Sequence, residues 1–270
     1  MATNEDATSE NATADDTSNE NEISDREPAN RKPDARADSE ALVDGVDSEA
    51  GARGAVYALA ARAFTEPDDE LYDALADGSL DDEFAALVER TDLDVEPPDL
   101  TVADDQDTLA ARYNDLFVVG YSEVIDGTDG TVDSQGPPVS LYESAYRSEV
   151  SWNDVNLDLA RAYEFFGVEI DQEDRRHHDH VRLELEFTGY LCRVAAAVDD
   201  DAERARLDFH DRHLSVLLAG LHDALESEPG TSVYGRLASF LAAFASADVD
   251  DLAARLQVGA GSRHDDGENA

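Results

Sequence analysis

The stretch 177–193, HHDHVRLELEFTGYLCR, is apolar around more of its circumference than a surface helix can be. At about 100° per residue, Val181, Leu183, Leu185, Phe187, Tyr190, Leu191 and Cys192, continued by Val194 and Val198, cover more than half of a helical wheel. Such a helix needs neighbours on most sides, so the chain must build a helical body around it. Arg182, Glu186, Gly189 and Arg193 form the one strip suited to water, and Arg182 with Glu186 has i,i+4 ion-pair spacing. Asp179 stands at the N-cap position. Glu184 is the misfit, because it falls inside the apolar arc one turn after His180. Burying a lone carboxylate costs several kcal/mol, so a buried structural pair of Glu184 with His180 is expected. The functional reading of the same pair is an acid and base couple.

Charge sets the next bound. The chain carries 64 Asp and Glu against 20 Lys and Arg, a formal net charge of −44, and Lys32 is its only lysine. No basic stripe is available to neutralise phosphates, so nucleic acid is excluded as a partner. The acidity spreads along the whole chain and resembles that of cytoplasmic proteins from salt-loving archaea, where carboxylates keep a protein hydrated in molar salt. A DNA mimic would instead gather its acids on one face. Hydrophobic residues make up 41% of the 270, enough for a sizeable core. Cys192, the single cysteine, rules out an internal disulfide and reads as an inert core residue. No apolar run reaches the roughly 18 to 20 residues of a membrane span, and the start lacks a basic-then-apolar signal, so a cytoplasmic protein without stable membrane insertion is expected.

Residues 1–50 lack aromatic side chains and are dominated by Asp, Glu, Asn, Ser and Thr, which predicts a disordered acidic tail. Helical spacing begins near Ala52 and stops at Pro67, then recurs over 68–76, 81–90 and 105–118. The 119–136 connection is glycine-rich, with a small hairpin expected at 121–125 and 128–132. Further helices are expected at 142–151, 154–166 with Gly167 as stop, 202–226, 232–246 and 248–256. The fold class is all-α: a single helical domain of about ten helices over 51–257, with a frayed tail at 258–270.

Several local signatures then occur in order. They are ARGAVYALAARAFTEP at 52–67, YNDLFVVG at 113–120, PPVSLYESAYR at 137–147, AYEFFGVEID at 162–171, HDHVRLELEF at 178–187, FHDRHLSVLLAGL at 209–221 and YGRLASFLAAF at 234–244. Together they resemble the TorD/DmsD-type (NarJ-related) redox-enzyme maturation chaperones. The chain departs from that pattern in a longer 119–136 loop and in Val139, Ser140 and Leu141, which separate Pro138 from Tyr142. The resemblance implies an all-helical chaperone, not an enzyme, without a cofactor of its own, working as monomer or homodimer. Its partner would be the catalytic subunit of a molybdopterin oxidoreductase of the dimethyl sulfoxide or nitrate reductase class, held through its twin-arginine leader until cofactor insertion. The implied peptide-binding residues are Pro137, Pro138, Tyr142, Glu143, Ser144 and Tyr146, with Asp179 and His180.

The physical chemistry of a leader fits such a site. A cationic segment followed by an apolar one needs an apolar groove with carboxylates at one end. On the helix expected at 142–151, Tyr142 and Tyr146 lie one turn apart and line that groove, with Glu143 at its rim; as a structural alternative both tyrosines are core anchors. A metal-dependent hydrolase centred on His178, Asp179 and His180 is the competing function, but that chemistry needs an upstream histidine and none precedes His177. His177, His178 and His180 with Glu184, or His210 with His213, form no closed ligand set, so no metal is expected. No phosphate loop, dinucleotide fingerprint or nucleophile elbow is present.

Overall fold

The computed structural model describes residues 48–120, 122–126, 131–134, 136–170, 177–197 and 200–265; side chains are described for 48–120, 136–170, 177–196 and 201–257. The tail expected at 1–50 therefore lies outside the described residues up to Asp47. At Ser48 the first helix begins. The described core belongs to one unit, 42–270.

Two helices cross at the centre: α1, Ser48–Ala63, and the organising helix α6, Val181–Ala197. Their approach depends on a glycine on each. A Cβ on Gly54 would sit 2.8 Å from the Gly189 carbonyl oxygen, and one on Gly189 would sit 2.7 Å from the Gly54 carbonyl oxygen. Gly189 thus belongs to the crossing and not to the water-facing strip expected for it. On the wheel a glycine reads as neutral, whereas in space its missing side chain is what admits the second backbone. Arg182 and Glu186 do face outward and pair at 3.5 Å.

Around the crossing the helices follow the apolar spacing. α2, Asp69–Asp77, is capped by the Asp68 carboxylate, which accepts the Leu71 N–H at 2.9 Å. Gly78, at φ 82°, turns the chain directly into α3, Ser79–Glu89. α4, Gln106–Phe117, is capped by Asp105. The antiparallel strands β1, Ser122–Asp126, and β2, Thr131–Ser134, form the hairpin, paired Ser122 to Ser134 with an irregularity between Val124 and Asp126. α5, Trp152–Phe165, stops at Gly167, where φ is +68°. α7, Asp200–Phe209, passes through a π turn, His210–Leu214, into α8, Ser215–Ser227.

The last helix, α9, runs unbroken over Val233–Asp265 where two helices were expected. Asp248, at the expected break, is buried and ties three helices together. It accepts from Arg53 at 2.9 Å, from the Tyr57 hydroxyl at 2.8 Å, and lies 3.3 Å from Arg206. Arg206 also donates to Cys192 Sγ at 2.9 Å, so the cysteine is a buried partner in this knot. Breaking α9 there would strand buried charges. Nine α-helices are thus present among the described residues, the last standing where two were expected, against about ten expected.

The segment expected as a helix at 142–151 is the main departure. Only a 3-10 turn, Glu143–Tyr146, forms there. Tyr142 is extended (φ −117°, ψ 130°) and bridges antiparallel to His180. Val181 donates its N–H to Leu141 at 2.8 Å, and Glu143 donates to the Asp179 carbonyl at 2.9 Å. Backbone pairing with the entry to α6 takes the groups a helix would have used.

Candidate functional site

That paired entry builds a groove. Asp179, buried, accepts the Ser144 N–H on Oδ2 at 3.0 Å and the Asn156 side-chain amide on Oδ1 at 2.9 Å. Asn156 on α5 accepts the His178 N–H at 2.5 Å and donates to the Trp152 carbonyl at 3.0 Å. Three segments, the 142–146 turn, the start of α5 and the 177–180 run, are thereby fixed against one another. Asp179 therefore does not cap α6. The ring of His180 does so, accepting the Arg182 N–H on Nδ1 at 3.2 Å.

The depression between these segments holds about 360 Å³ and is lined by Ser140, Tyr142, Ser144, Ala145, Trp152, His177 and Asp179. Its walls are aromatic. The His177 ring lies between Tyr142 and Trp152, with centroids at 5.5 and 5.6 Å, and His180 backs Tyr142 at 5.0 Å. Trp152 is 54% exposed and Tyr142 38% exposed, so both rings are open to a ligand. Burial, followed by the Asp179 charge, raises the Tyr142 phenol above its ordinary value, and the ring stays neutral.

Of the expected peptide-binding residues, Tyr142, Ser144 and Asp179 line this groove. Pro137 and Pro138 are half-buried and lead into Val139, which donates its N–H to Leu116 at 3.0 Å. Tyr146 does not line it: its hydroxyl donates to the Ser140 carbonyl at 2.6 Å, and its ring packs on Gly220, where any Cβ would collide with it. Burial pushes the Tyr146 phenol up to about 12. Glu143 is not a rim group; it is fully buried, held by Arg147 Nε at 2.5 Å and His213 Nδ1 at 3.0 Å. The extended backbone at Tyr142 turns the next side chain inward. Trp152 and His177 are the aromatic lining residues that sequence reasoning missed, together with Ser140 and Ala145. The single tryptophan, standing directly after the Ser151 N-cap at the start of α5, is the signal that could have found the first.

Glu184 is fully buried, and among the described residues no donor meets either of its oxygens in hydrogen-bond geometry, so the expected pairing with His180 is not made through a hydrogen bond. Burial, then the neighbouring Glu143 and Asp179 carboxylates, hold its pKa well above the usual carboxylate range. The group resolves its position by keeping its proton.

Among the described residues the hydrolase centre expected at His178, Asp179 and His180 is not assembled. Both Asp179 oxygens are taken by Ser144 and Asn156, and His213 spends both ring nitrogens, on Glu143 at 3.0 Å and on Asp158 at 3.2 Å. Among the described residues the one group of three or more metal-capable side chains with atoms within 4.8 Å is His222, Asp223 and Glu226 on α8, partly exposed and including none of the groove's lining residues. No helix of the described residues is long and apolar enough to cross a membrane.

Comparison with known proteins agrees in one direction. A selenate reductase assembly chaperone protein from Thauera selenatis is 34% identical over 193 residues, covering 69% of this chain and 81% of that protein. A chlorate reductase assembly chaperone protein from Ideonella dechloratans is 36% identical over 132 residues, 47% of this chain and 62% of the relative. A perchlorate reductase assembly chaperone protein from Dechloromonas aromatica (strain RCB) is 25% identical over 220 residues, 79% of this chain and 95% of the relative. The family model described as nitrate reductase delta subunit matches residues 73–223, a span containing the turn, α5 and α6 that form the groove. The chain therefore belongs to the nitrate reductase delta subunit family of redox-enzyme maturation chaperones.

Proposed function

We propose that this protein is a cytoplasmic, system-specific chaperone that holds the apo-form of a molybdopterin oxidoreductase catalytic subunit by its twin-arginine leader until the cofactor is in place. The observation that carries the reading is the open aromatic groove of Tyr142, Trp152 and His177, fixed by the Asp179 and Asn156 hydrogen bonds. Three relatives named as reductase assembly chaperones support the client class.

The groove suits the apolar part of a leader. Burial of apolar surface contributes about 25 cal/mol per Å² and is strengthened by salting-out ions. Exposed carboxylates reach only about 3 Å in 1 M salt, so a charge of −44 cannot hold an arginine pair at a distance there. The leader's arginines would give register through short bonds at the groove edge, where Asp179 is already spent on the fold. Co-producing the client subunit with the wild-type chain, with Trp152→Ala, and without the chain tests the role. Molybdenum per mole of purified client is expected to be high, reduced and low in that order. Equal loading in all three would refute it.

A further inference from the structure

Exposed large apolar side chains are clustered on this acidic molecule. Of the seven among the described residues, five lie between Tyr142 and Phe165, and Phe165 is 83% exposed. Leu157, Arg161 and Phe165 recur every fourth residue and form one stripe along the outer face of α5. Beside the stripe lies a depression of about 280 Å³ walled by Phe165, Phe166, Phe187 and Phe209, and Arg161 is on its rim. It shares no lining residue with the groove at Tyr142.

The charges at this depression settle what would fit it. Arg212 is taken by Asp158 and Asp208, and His213 by Glu143 and Asp158. Arg161 alone of the charged rim groups makes no ion pair or hydrogen bond among the described residues. An unpaired guanidinium beside four phenyl rings favours a carboxylate next to an apolar side chain.

We propose that the α5 face is a second docking surface, for an amphipathic segment of the client's mature polypeptide that seats an apolar side chain among the phenylalanines and sets an Asp or Glu against Arg161. The proposal rests on the chaperone reading. It adds that the client is gripped twice, by its leader at Tyr142 and by its body at Phe165. A surface aromatic in the middle of a desolvated patch is the usual anchor of such contacts.

The test uses the full chain, a synthetic leader peptide, and the catalytic subunit with that leader removed. Phe165→Ser and Arg161→Glu are exposed substitutions that leave the core untouched. Each is expected to weaken binding of the leaderless subunit by about tenfold or more, with leader affinity unchanged within about twofold and Arg161→Lys nearly wild type. Leaderless subunit that binds all variants equally, or that does not bind the wild-type chain although the leader does, overturns the second surface and leaves the chaperone reading standing. Failure of the wild-type chain to bind either leader or subunit overturns both.

Discussion

The carboxylate of Asp179 accepts the backbone N–H of Ser144 at 3.0 Å, which ties the entry of α6 to the turn that presents Tyr142. The same carboxylate accepts from Asn156 at 2.9 Å, so one buried side chain sets the spacing of all three walls of the groove. Asp179→Ala leaves two buried donors unmet and is expected to cost about 2 to 4 kcal/mol in denaturant unfolding. Asp179→Asn presents one acceptor where two are needed and should fall between wild type and alanine. Wild-type stability in both variants would show that the bonds do not fix the groove.

Glu184 gives a pH dependence whose sign follows from its raised pKa. The unfolded carboxyl releases its proton above about pH 4.3, while the folded one keeps it. The unfolded state therefore binds fewer protons, and the contribution of this group to stability falls as pH rises from about 4.3 toward the folded pKa. In Glu184→Gln that loss is absent. The variant should gain on wild type by up to about 1.4 kcal/mol per pH unit across this window. Parallel stability curves for the two proteins would place the proton elsewhere.

Asp251 acts in the opposite sense. Although burial pushes its pKa up, bonds from Arg53 and Arg255 hold it below the ordinary carboxylate value. Its contribution is present above the unfolded pKa and is lost as pH falls through the folded one. Asp251→Asn should flatten the acid limb of the unfolding curve; since the side chain is 37% exposed and screened by solvent, the effect should stay within about 1 kcal/mol.

Gly189→Ala places a methyl against the backbone of α1 and is expected to destabilise by about 1 to 3 kcal/mol, measured by thermal unfolding in high salt. Gly51→Ala, on the same helix as Gly54 but with nothing within 4 Å of a new Cβ, serves as the control and should be neutral or stabilising.

Much of this fold is legible in the sequence because most of its helices are local objects. Apolar spacing placed α1 to α5 within a few residues, and Gly167 marked a stop that its φ of +68° confirms. What escaped was set by contacts distant in sequence. The 142–146 turn has helical residue types, yet Leu141 and Glu143 spend their backbone groups on Val181 and Asp179. Glu143 is charged and reads as surface, but beside the local Arg147 it meets His213, brought to it from the π turn 70 residues away. Gly189 looks neutral until Gly54 is set against it. For the site, Tyr142, Ser144 and Asp179 came through the family resemblance, whereas Trp152 and His177 are joined to them only by folding.

Calorimetric titration of a twin-arginine leader peptide into the wild-type chain, Tyr142→Ala and Trp152→Ala in about 2 to 4 M salt tests the groove most directly. Wild-type affinity should hold or strengthen as salt rises, and each variant should lose about 1 to 3 kcal/mol of binding. Affinity that falls steadily with salt and survives the loss of both rings would contradict a contact-driven groove at Tyr142 and Trp152.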